Sequence, residues 1–235
     1  MSVLALSSWA WIAQNRGKIT HLFLQHLELT VIAVAIGFLI SFPLAVFAHR
    51  HRAAYPPIAW VAGLLYTIPS LALFVLLLPF TGLSVTTAEV GLVSYTLLIL
   101  IRNTVIGLRA VPEDVKEAAR GMGYTQRQLL WRVELPLALP AIVAGIRIAT
   151  VSTIGLVTVA ALIGRGGLGQ LILEGLNRFY TTEVLLGALL SVALALVADG
   201  LLLVGQRVLT PWAHGRTARP RGSISPRTAG VPLPP

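Results

Sequence analysis

The sequence contains no cysteine. Disulfides, thiolate catalysis and cysteine-based metal sites are excluded, and no redox compartment is implied. Charge is also scarce. Asp, Glu, Lys and Arg make up 11% of the 235 residues, against about 25% in an ordinary soluble domain. A soluble body of this size could not cover its surface with so few. Acids are the rarer sign, 9 against 18 Lys and Arg, and aromatics amount to 7%. Familiar catalytic spacings are missing too. The five histidines (His21, His26, His49, His51, His214) form no His-Glu-x-x-His pattern for zinc. No Gly-x-Ser-x-Gly elbow is present. A soluble enzyme, a nucleic-acid reader and a large extramembrane domain are all excluded.

What remains is apolar. Apolar residues are 56% of the chain and mean hydropathy is +0.81. A membrane helix needs roughly 20 apolar residues, and five stretches are long enough: 22–47, 57–78, 88–108, 137–163 and 184–204. The fold class expected is an all-α, polytopic membrane bundle of about five transmembrane helices. Three segments are expected: an extracytoplasmic or interfacial part over 1–21, a transmembrane domain over 22–210, and a basic, disordered tail over 211–235. The first part carries Trp9 and Trp11, which suit an interface. Its short apolar stretch precedes Arg16 and Lys18, the reverse of a signal peptide. The tail is rich in Pro, Gly, Arg and Ser and lacks an apolar period.

Orientation follows from the bases. One set of connections holds Arg50, Arg52, Arg109, Lys116, Arg120, Arg127, Arg132, Arg207 and the tail arginines. The other holds Arg16, Lys18, Arg165 and Arg178. The rich side is expected in the cytoplasm, with the N-terminus outside and the C-terminus inside.

The connection between spans three and four has the strongest pattern. Pro112 suits a first helical position, and Glu113 and Asp114 suit a first turn. Val115, Ala118, Ala119 and Met122 form one apolar stripe. Gly121 and Gly123 can end the helix through a left-handed residue. Thr125 and Gln128 have capping-box spacing for a second short helix, which Pro136 is expected to close. Helices this short are unstable alone, so the stripe needs a partner: a groove on another protein, or the chain's own bundle.

Glu117-Ala118-Ala119, three residues, Gly123, nine residues, then Val133-x-Leu135-Pro136 resembles the EAA loop of ABC importer permeases. The family pattern usually has Ile at the Val133 place. Further segments resemble the quaternary-amine (glycine betaine, choline, carnitine) permeases: Thr67-Ile68-Pro69-Ser70-Leu71-Ala72-Leu73, Ile101-Arg102-Asn103-Thr104 with Gly107-Leu108, Gly145-Ile146-Arg147, and the glycine-rich run 161–169. Together they cover about residues 22–205. The resemblance implies a permease subunit of the bacterial inner membrane. It implies that Glu117, Ala118, Ala119, Gly123, Leu135 and Pro136 couple to cytoplasmic ATPase subunits. ATP and Mg would bind those subunits, leaving this chain with no cofactor, no metal and no catalytic residue. It also implies an extracytoplasmic substrate-binding protein that sets selectivity. Five helices enclose a polar path poorly, so a second permease, identical or different, is expected, with lipid around the pair and no nucleic acid. Another small solute such as methionine, or a structural role without transport, stays open.

Inside the spans, Pro69 is expected to kink the second, with Thr67 or Ser70 satisfying the freed carbonyl. The kink either shapes the substrate path or serves packing. Pro43 and Pro140 are read as structural. Arg147 and Asp199 are costly in lipid and either pair with each other or snorkel to an interface. Tyr66, Thr67, Pro69, Ser70, Arg147 and Asp199 are the substrate-path candidates. Phe38, Phe42, Tyr66, Phe74 and Tyr95 are the aromatics placed to hold a quaternary ammonium. The run 164–169 lacks the Gly-Lys-Ser/Thr ending of a phosphate loop and is read as a turn capping span four, or as an outer gate or docking surface.

Overall fold

The computed structural model describes residues 9–214. The N-terminal eight residues and those from 215 lie outside the described residues; of the tail expected to be disordered over 211–235, Pro211–His214 form a 3-10 helix and the rest lies outside the described residues. Every regular element in the described part is helical. In chain order these are α1 (Arg16–Arg50), α2 (Tyr55–Thr67), α3 (Ser70–Thr81), α4 (Val85–Arg109), α5 (Glu113–Gly121), α6 (Gln126–Leu129), α7 (Leu135–Val159), α8 (Gly169–Asn177) and α9 (Thr181–Leu209). A π-helical segment, Leu130–Glu134, joins α6 to α7.

Four stretches are long and apolar enough to cross a membrane: α1, α4, the 38 residues from Gln126 to Ile163, and α9. The expected second span is not one kinked helix. It is α2 and α3, bent by 95°. Pro69 cannot donate a backbone hydrogen bond and pushes Ile68 out of helical conformation. Ile68 (ψ 129°) and Pro69 (ψ 133°) are both extended. Thr67 Oγ1 does donate to Leu64 O at 2.8 Å. The carbonyl of Ile68 is satisfied from another helix, by the Tyr95 hydroxyl.

α4 is the central helix. It packs on α1, α7, α2 and α3, while α9 packs on α7 and α8. One buried cluster joins Leu29, Ala33, Phe74, Leu92 and Val157. A second, near the other end, joins Leu108, Leu130, Leu135, Ala138 and Ile142. α4 and α7 approach closely because Gly145 has no side chain: a Cβ there would lie 2.5 Å from Asn103 Cβ. His26 is fully buried and pins α1 to this assembly. Its Nε2 lies 3.1 Å from Ile154 O, and Nδ1 accepts the Leu168 N–H at 3.3 Å. That pair of bonds fits a neutral ring protonated on Nε2. Trp11 is not a lone interfacial ring either. It packs edge-on against Tyr180 at 5.7 Å.

Candidate functional site: the coupling loop and the cleft

The loop after α4 folds much as its residues dictate, with two corrections. Pro112 is the N-cap of α5, one position earlier than expected (ψ 141°). Pro136 does not close the second short helix. α6 runs through the π segment into α7, and Pro136 sits in the first turn of α7, where proline is tolerated. The π turn just before it (Leu135 N–H to Leu130 O) takes up the mismatch.

α5 ends in a Schellman turn. Tyr124 N–H reaches Ala119 O at 3.1 Å and Gly123 N–H reaches Arg120 O at 2.9 Å. Gly123 has φ +84°, the left-handed residue that this turn requires. Thr125 and Gln128 complete a reciprocal capping box. Of the apolar stripe, Ala119 is packed inside at 2% exposure, while Val115, Ala118 and Met122 are exposed. Glu117 is exposed as well. The opposite face carries Glu113, which bonds Lys116 Nζ at 2.6 Å and Arg120 Nη1 at 2.9 Å. Those two cations, Lys116 first, hold the Glu113 carboxyl below its ordinary range. Leu135 is a buried anchor in the second core cluster.

The α2–α3 break opens onto a cleft of about 410 Å³. Tyr66, Thr67, Pro69 and Ser70 all line it, together with Tyr95, Thr96, Ser152 and Thr153 from α4 and α7. The Tyr66 and Tyr95 rings meet edge-to-face, centroids 5.7 Å apart. No charged residue lines the cleft.

Arg147 and Asp199 are not part of it. They form a fork between α7 and α9, Nε to Oδ1 and Nη2 to Oδ2 both at 2.9 Å. Gln206 extends the fork, accepting from Arg147 Nη1 at 3.2 Å and donating to Pro140 O at 3.1 Å. The other ammonium candidates are also elsewhere. Phe74 is fully buried in the core, and Phe38 stacks on Phe42 at 5.5 Å.

A family profile described as the binding-protein-dependent transport system inner membrane component matches residues 33–211. The chain belongs to this family. It is therefore a multi-pass inner-membrane permease subunit of an ABC importer. The permease is 42% identical over 206 residues to an osmoprotectant import permease protein, OsmW, of Salmonella typhimurium, covering 86% of this chain and 96% of that one. It is 37% identical over 201 residues to the choline transport system permease protein OpuBB of Bacillus subtilis, covering 86% and 93%. Its fold matches a chain of the MetNI methionine ABC transporter in an inward-facing conformation, with TM-score 0.73 and 25% identity over 82% of this chain and 96% of that one.

In this permease the cleft residues Ser152 and Thr153 escaped sequence reading. Small hydroxyl side chains in a span usually bond their own helix. Nothing in their spacing marks them as facing a break 80 residues earlier in the chain.

Proposed function

We propose that the permease carries quaternary-amine osmoprotectants along the cleft between α2, α3, α4 and α7, driven by an ATPase that engages α5. The observation that carries the cargo reading is the cleft wall. The partly exposed Tyr66 ring, with the buried Tyr95 ring edge-to-face beside it, suits a cation that cannot donate hydrogen bonds; hydroxyls surround the pair, and no fixed charge competes. Its relatives named as osmoprotectant and choline permeases fall in the same chemical class.

The coupling reading rests on α5. Its exposed Val115, Ala118 and Met122 form an unpartnered stripe of small and flexible apolar residues, suited to a groove on another protein. In this reading the bases-rich end of the bundle is cytoplasmic and the 22–210 segment is the transmembrane domain. ATP and Mg bind the ATPase subunits, and this chain hydrolyses nothing. A second permease completes the path. A binding protein delivers cargo at the end opposite α5.

The test is uptake into proteoliposomes containing the whole transporter. Labelled glycine betaine or choline should accumulate with ATP, and labelled methionine should not. Tyr66→Ala should slow uptake roughly tenfold, the size of a lost cation–π contact of about 1–2 kcal/mol. Methionine uptake without betaine or choline uptake would overturn the cargo reading.

A further inference from the structure

At the α5 end of the bundle lies a second hollow, about 1230 Å³, which the transport path does not use. Four arginines line it; besides Arg120 of α5 they are Arg50 at the end of α1, Arg52 just beyond, and Arg109 at the end of α4, and these last three come from two chain segments. Arg50, Arg52 and Arg109 have no ion pair among the described residues. Arg109 lies over the Tyr55 ring at 4.6 Å, its one charge-related contact. The two acids of the hollow are already engaged. Glu113 holds Lys116 and Arg120, and Glu134, 7% exposed, faces His49 Nε2 at 3.4 Å.

Positive charge at one membrane face is expected from topology alone. Topology does not require three unpaired guanidinia to converge on one cavity. At the opposite end Arg16 and Arg165 also lack an ion pair among the described residues, but they do not share a cavity with other unpaired bases, and the remaining two are paired. There Lys18 is held by Glu174 and Glu183, and Arg178 lies 3.6 Å from Glu174.

We propose that this hollow binds the phosphate headgroup of an anionic phospholipid. Its level in the molecule selects a lipid. Arg50 and Arg109 are the last residues of two membrane helices and Tyr55 is the first of a third, which in this proposal sets the hollow at the level of the headgroups. Arginine forks match phosphate oxygens, and basic pockets between membrane helices favour anionic headgroups. An aromatic flank such as Tyr55 suits the same depth. The geometry of α5 separates this site from ATPase docking. At 100° per residue, Glu113, Lys116 and Arg120 point into the hollow, while Val115, Ala118 and Met122 lie on nearly the opposite face. A bound headgroup therefore steadies the inner face of the coupling helix and leaves its outer face free.

The experiment is native mass spectrometry of the full-length permease, delipidated in detergent and titrated with phosphatidylglycerol or phosphatidylcholine of equal chain length. Phosphatidylglycerol should bind more tightly, and added salt should weaken it. The triple variant Arg50→Gln, Arg52→Gln, Arg109→Gln should lose about tenfold or more of that affinity and leave phosphatidylcholine unchanged. The triple Arg→Lys variant keeps the charge and should keep the preference, which separates headgroup binding from misfolding. Arg165→Gln with Arg178→Gln, at the other end, should change nothing. Equal affinity for the two lipids, or an unchanged triple Gln variant, would overturn the proposal. So would displacement of phosphatidylglycerol by millimolar inorganic phosphate, which would assign the site to a soluble anion. Loss of ATPase co-purification in the triple Gln variant with lipid affinity intact would assign the hollow to protein docking and likewise overturn it.

Discussion

Two glycines show how single residues set this structure, for different reasons. Gly123 sits in open space: a Cβ there would touch nothing within 4 Å. Its constraint is the backbone, because φ +84° costs an L-residue about 1–2 kcal/mol. Gly123→Val should therefore leave membrane insertion and the spans intact but loosen the end of α5. The expected readout is loss of uptake and weaker co-purification with the ATPase. Gly145 is the converse case, an ordinary helical backbone with no room. Gly145→Leu would push α7 off Asn103, an overpacking cost of about 1–3 kcal/mol. A lowered melting temperature in detergent would show it, and an unchanged one would mean that the helices can part without penalty. Gly123 was legible from the sequence, since a left-handed cap follows from local spacing. The constraint on Gly145 was not, because it depends on which residue of α4 comes opposite.

Elements were legible wherever local chemistry decides them. The Schellman end of α5 and the Thr125–Gln128 capping box depend on residues within a few positions of one another, and the α5 start was misplaced by a single position. The exceptions are the two prolines in or beside membrane helices. Pro69 was expected to kink a helix and instead breaks it, because a tyrosine from α4 stabilises the extended turn by taking the orphaned Ile68 carbonyl. Pro136 was expected to end a helix and instead opens one. α9 packs mainly on α7 and α8 and reaches α1 through Lys18–Glu183 near one end, so the Arg147–Asp199–Gln206 network is its polar tie to α7 nearer the other. Arg147→Asp and Asp199→Arg should each lower the yield of folded permease, and the double exchange should restore much of it. Failure of the double variant to recover either single would mean that the two side chains act separately.

At the scale of the whole molecule, the two ends of the bundle handle charge differently. One end pairs Lys18 and Arg178 with Glu174 and Glu183. The other gathers bases around α5 with too few acids to match. Composition reported only the excess, +9; the arrangement needed the fold. The same holds for the cleft. Its four residues near Pro69 were visible as a motif and Tyr95 as a candidate aromatic, whereas Ser152 and Thr153 come from a helix that only tertiary packing brings alongside.

The broken second span has one more consequence. Extended backbone at membrane depth persists only where protein or water surrounds it, so the hydroxyl-lined side of the Ile68–Pro69 turn should be wet. The native chain has no thiol, and it therefore needs no prior engineering for solvent mapping. A lone cysteine at Ser70 or Ser152 should react with a membrane-impermeant thiol reagent in intact proteoliposomes. One at Leu76, exposed on α3 away from the cleft, should resist it. Equal reactivity at all three would mean that the break is surrounded by lipid. The pattern across positions would trace a column of water through a chain that is, by composition, mostly oil.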